Sequence, residues 1–74
     1  MKYYKIQFPP FDRRKFLYLR NGTFIESAAG MFFSEEDIKS PKVEKYLDGK
    51  EYKLIDVPYE KAPRFLRYKT HQQE

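Results

Sequence analysis

The sequence holds no cysteine, no tryptophan, one histidine and three glycines among its 74 residues. Without cysteine there is no disulfide scaffold, thiolate metal site or cysteine nucleophile, and a reducing cytoplasm is a compatible setting. The single imidazole, His71, stands near the polar end of the chain, so a zinc site or a Ser–His dyad is hard to assemble. The glycines are scattered at positions 22, 30 and 49 and form no phosphate-cradling loop. No apolar run approaches the roughly 18–20 residues of a membrane span, and no signal-peptide core follows Met1. Nothing brings together a nucleophile, a base and an oxyanion site. These absences point away from an enzyme, a cofactor, a metal, a small-molecule substrate and a membrane protein.

Aliphatics are also scarce. Phe, Ile, Leu and Val together number 18, only a little above the roughly 20% below which chains tend not to fold. Seven Phe and seven Tyr make up the shortfall, since each ring buries on the order of 150–250 Å². The length suits one small domain, expected over residues 1–70, with 71–74 as a frayed polar tail.

Tyr4, Ile6 and Phe8 alternate with Tyr3, Lys5 and Gln7, which is strand periodicity, and Pro9-Pro10 stops that strand. Asn21-Gly22 lies between Lys15–Arg20 and Thr23–Ile25, and this pair is a strong hairpin signal because a type I′ turn needs positive φ at both central residues. The turn sets Arg20 opposite Thr23, Leu19 opposite Phe24, Tyr18 opposite Ile25 and Leu17 opposite Glu26. Both faces of the hairpin are then apolar. Ala28-Ala29-Gly30 marks a close approach or a bend, and Met31-Phe32-Phe33 a buried run. Ser34 followed by Glu35, Glu36 and Asp37 is a helix start with a cap and three acids in the positive first turn. Ser40-Pro41 starts a second piece, with Val43, Tyr46 and Leu47 on one face, ended by Asp48-Gly49. Tyr52 to Val57 is another strand, ended by Pro58. Residues 64–69 read equally as edge strand or helical turn.

The fold class expected from this pattern is α+β: a small antiparallel sheet of three or four strands, with a short proline-interrupted helical segment on one face.

The net charge of +4 is unevenly spread. Residues 1–20 carry +5, residues 21–60 carry −4 and residues 61–74 carry +3. If the two ends are neighbours, Arg13, Arg14, Lys15, Arg64, Arg67 and Lys69 form one basic patch. Rings interleave with these cations, a composition suited to single-stranded nucleic acid, although it equally describes a strand with one face in and one face out. Neither the Gly-aromatic signature of RNA-recognition motifs nor a GXXG loop is present. A helix covers one face of the sheet at most, which leaves Phe16, Tyr18 and Ile25, with Tyr68, as an aromatic contact surface.

The run Ala28-Ala29-Gly30-Met31-Phe32-Phe33-Ser34-Glu35-Glu36-Asp37-Ile38, followed by Tyr52-Lys53-Leu54-Ile55-Asp56-Val57, resembles the small accessory proteins of phages and prophages of Gram-positive bacteria. The likeness covers about residues 15–57. It implies a cytoplasmic protein of the bacterial host that binds and blocks a host or defence protein, as anti-CRISPR proteins do, and it carries over no binding residue. The expected function is therefore that of a non-enzymatic inhibitor or modulator of a larger protein or nucleoprotein. The alternative is a nucleic-acid-binding module using the basic ends.

Overall fold

The structure, a computed structural model, describes residues 2–58. Five strands and two short helices follow one another: β1 (Tyr3–Gln7), β2 (Phe16–Arg20), β3 (Thr23–Ser27), β4 (Phe33–Ser34), α1 (Glu35–Ile38), α2 (Pro41–Leu47) and β5 (Lys53–Val57). All strand pairs are antiparallel. The α+β architecture is as the sequence implies, with one strand more than the expected three or four.

The hairpin β2–β3 has the anticipated register, extended by Phe16 opposite Ser27. Asn21 (φ 52°) and Gly22 (φ 78°) both lie in the left-handed region, as a two-residue turn of this hand requires. The loop before β2 is tied down by Gln7, whose buried amide donates to the carbonyls of Phe11 (3.1 Å) and Arg13 (2.9 Å). The Phe8 N–H closes that loop on the Lys15 carbonyl at 2.8 Å, and the Pro9-Pro10 bond inside it is cis.

Strand β1 organises the sheet. Every residue from Tyr3 to Gln7 pairs with β5 on one edge, from Val57 to Lys53. The other edge is shared: β2 touches it only through Gln7 and Phe16, while β4 takes Tyr3 and Tyr4. β2 therefore diverges from β1, and residues 31–34 fill the wedge, with the Met31 N–H donating to the Leu17 carbonyl at 3.1 Å.

Cross-strand partners share a face. Ile6, Leu17 and Phe33 thus point to one side, where Val43 and Leu47 of α2 meet them together with Phe8 and Met31. Ile6, Leu17, Phe33 and Val43 are wholly buried, each contributing about 1.5–3 kcal/mol of transfer free energy. Two caps hold the helices over this face. The Asp37 N–H donates to Ser34 Oγ while the Ser34 N–H donates to Asp37 Oδ2, both at 3.1 Å, which is a complete capping box. Ser40 caps α2 by accepting from the Val43 N–H, with Pro41 as the first helical residue.

The opposite face is not left open. Residues 28–32 approach it closely enough that a Cβ on Gly30 would sit 3.1 Å from Phe16 Cβ and Cγ. Phe32 joins Tyr3 in a second small cluster, with Val57 packed against it. The Lys5 ammonium lies 5.1 Å from the Phe16 ring centre and 5.3 Å from that of Phe32, so two rings share one cation.

Candidate functional site

Of the residues that sequence alone assigned to a basic patch, Arg13 and Arg14 are exposed on the loop after Pro9-Pro10. Lys15 is engaged, its Nζ 3.3 Å from Glu26 Oε1. Arg64, Arg67 and Lys69 lie outside the described residues, as does Tyr68, so their union with Arg13 and Arg14 is not seen. The aromatic surface needs correcting. Phe16 is only 8% exposed, packed under Lys5 and Gly30, so its ring is part of the interior rather than a free contact. Tyr18 and Ile25 sit opposite each other and are half-buried. The 28–32 segment covers the second face around Phe16, Lys5 and Tyr3, which is why Phe16 is lost from the contact surface.

A different group of cations converges on the helix side. Val43, Tyr46 and Leu47 turn inward at i, i+3 and i+4, so Lys42 and Lys45 stand along the shoulder of α2. Gly49, at φ 77°, then reverses the chain, and the Lys50 N–H donates back to the Leu47 carbonyl at 2.9 Å. The reversal brings the Lys50 ammonium to 4.8 Å from the Tyr46 ring centre. Across from α2 stands the tip of the β2–β3 hairpin. Gly22, Thr23, Phe24, Lys42, Lys45, Tyr46 and Lys50 together line an open cleft of ≈ 660 Å³, a size that takes a small-molecule-sized group.

The floor of the cleft is aromatic and fixed. Phe24 and Tyr46 have ring centres 5.7 Å apart at 52°, and Phe8 backs Tyr46 edge-on at 6.3 Å and 70°. Burial pushes the Tyr46 hydroxyl pKa up, helped by the charge of Glu26 and by the hydrogen bond that the hydroxyl donates to that carboxylate. Glu26 is in turn matched by Lys15. Glu26 is thus shared between Lys15 and Tyr46, and the lining residues of the cleft include three lysines and no acid. Among the described residues no three or more His, Cys, Asp or Glu side chains are grouped so as to hold a metal ion.

This cleft was not read from sequence. Lys42, Lys45 and Lys50 lie in the segment of net charge −4, where Glu44, Asp48, Glu51 and others mask them in any average. The usable signal was finer: Lys at i and i+3, Tyr at i+4, then a Gly that turns the next Lys back over the ring.

No protein-family model matches the chain, and no curated protein or solved structure matches it. Among the described residues no helix is long and apolar enough to cross a membrane.

Proposed function

We propose that the protein is a non-enzymatic binding protein that modulates a larger protein or nucleoprotein by taking an anionic segment of it into the lysine cleft. One observation carries this reading: Lys42, Lys45 and Lys50 line one open cleft together with the Phe24 and Tyr46 rings, and no Asp or Glu is among its lining residues. Such a cleft focuses positive potential and attracts anions. Catalysis fits it poorly. The one titrating group of the floor, Tyr46, is held protonated, the reverse of what a base or nucleophile needs. The resemblance to phage accessory proteins supplies a setting, the cytoplasm of a bacterial host, and a role, the blocking of a host or defence machine.

The test is capture from host lysate, with and without nuclease, using the full chain, a Lys42→Glu/Lys45→Glu variant and an Arg13→Glu/Arg14→Glu variant. The expected result is a partner retained by the wild type and the arginine variant and lost by the lysine variant. A lysine variant that captures the same partner in equal yield would falsify the assignment of the cleft. Arg13 and Arg14, freely exposed beside Lys15, are the surviving described part of the basic-end reading, and loss of the partner in that variant alone would move the contact there.

A further inference from the structure

Resting on the cleft assignment above, we infer that the anionic segment is single-stranded nucleic acid, its phosphates held by Lys42, Lys45 and Lys50 and one base set against the ring floor. The cation type argues first. The rim contains lysines and no arginine. A lysine is a compact point charge that holds a phosphate without fixing its orientation, which suits the backbone of a flexible strand read without sequence preference. The floor argues second. Phe24 and Tyr46 are half-buried, tilted by 52°, and open to the cavity between the cations. Alternation of cation and exposed ring is how single strands are held without sequence readout, phosphates on the cations and base faces on the rings. An acidic peptide leaves those rings unmatched.

Half-burial of the rings argues third. Phe24 and Tyr46 line the open cleft between the hairpin tip and α2 with part of their surface covered, so only a base whose own face is free can stack on them. A duplex keeps its base faces covered and can touch only the rim. In the free protein the Lys50 ammonium rests over the Tyr46 ring. A phosphate at the rim draws that cation outward and uncovers the ring face for the base. The hairpin wall permits close approach, because Gly22 has no side chain and a Cβ built there meets nothing within 4 Å.

Fluorescence anisotropy of the full chain tests this with four probes: a short thymidine oligonucleotide, the same strand with abasic sites, the corresponding duplex and a polyglutamate peptide. The thymidine strand is expected to bind best. Its affinity should fall with salt at a log–log slope of about −2, as three phosphates neutralised on a single strand imply. Lys45→Gln should reduce the size of that slope by about 0.7, and Lys39→Glu, outside the cleft, should leave it unchanged. Abasic sites should weaken binding by about fivefold or more, the loss of one stacked base. Equal binding of the abasic strand, the duplex or polyglutamate overturns the inference. If no oligonucleotide binds while the Lys42→Glu/Lys45→Glu variant still loses its captured partner, the cleft assignment stands and the ligand class is wrong. If the lysine variant also keeps its partner, both are wrong.

Discussion

Gly30→Ala is the substitution whose outcome can be worked most directly from the structure. Gly30 is buried and its φ lies outside the left-handed region, so the backbone itself accepts alanine. The obstacle is space. The new methyl would lie 3.0 Å from Lys5 Cδ and 3.1 Å from both Cβ and Cγ of Phe16, where carbon atoms prefer about 3.5–4.0 Å. Lys5 can swing away, but only by leaving the rings of Phe16 and Phe32. Phe16 cannot yield easily, being buried and paired with both Gln7 and Ser27. Overpacking of this kind costs about 1–3 kcal/mol. A chain of this length has roughly 4–11 kcal/mol of stability in all, so the loss is a large share. With a urea slope near 1 kcal/mol/M for a small protein, the midpoint should fall by about 1–3 M. Gly22→Ala is the control: its methyl meets nothing, and its loss of about 1 kcal/mol comes from positive φ alone. Lys5→Ala in the Gly30→Ala background should recover little, because two of the three close contacts are to Phe16. A Gly30→Ala midpoint that matches the wild type, or that falls less than that of Gly22→Ala, would refute the close packing of residues 28–32 on the sheet.

Ser34→Ala should lose about 1–2 kcal/mol and speed amide exchange at residues 36 and 37, because the Asp37 N–H forfeits its acceptor in a buried cap. Asp37→Ala in the same background should be markedly non-additive in a double-mutant cycle, since the two side chains serve one reciprocal box. Tyr46→Phe should flatten the alkaline limb of the stability profile. The raised hydroxyl pKa means that its stabilising contribution is whole below the unfolded-state value near 10 and lost as pH climbs through the higher folded value, so wild type and variant should converge at high pH. Parallel curves throughout would show that folding does not raise the Tyr46 pKa. Reversing Arg13 and Arg14 to Glu together should leave the denaturation midpoint nearly unchanged, because exposed charges contribute little to stability. Its effect on partner affinity should be smaller than that of Lys42→Glu/Lys45→Glu.

Parts of the fold that depend on local stereochemistry were legible in the sequence. Asn21-Gly22 dictates the hand of its turn and hence the register of every pair in β2–β3. Ser34, Asp37, Ser40 and Pro41 specify where both helices begin. What escaped depends on distance. β4 is two residues long and shows no alternation; it exists because β2 leaves β1 after Phe16 and a wedge must be filled. Ala28-Ala29-Gly30 announced a close approach, yet nothing local names Phe16 as the neighbour. The cleft was hidden for a related reason. Lys42 and Lys45 look like any solvated helix flank, and only the left-handed Gly49 and the facing hairpin tip turn them, with Lys50, into a lined cavity.

The three-way pairing of β1 has a consequence for the order of assembly. The hairpin joins residues that are close in the chain, from Arg20 and Thr23 out to Phe16 and Ser27, and such ribbons close in microseconds. The ladder between β1 and β5 joins Gln7 to Lys53 and Tyr3 to Val57, spanning almost the whole described chain. On a ribosome the first strand therefore emerges early and waits, one edge unsatisfied, until Tyr52 to Val57 have cleared the exit tunnel. Until then β2 and β4 pair with only part of it, at Gln7, Tyr3 and Tyr4. Completion is thus a late, single event, and nascent chains stalled near Gly49 should be protease-sensitive at β1 while already protected at the hairpin.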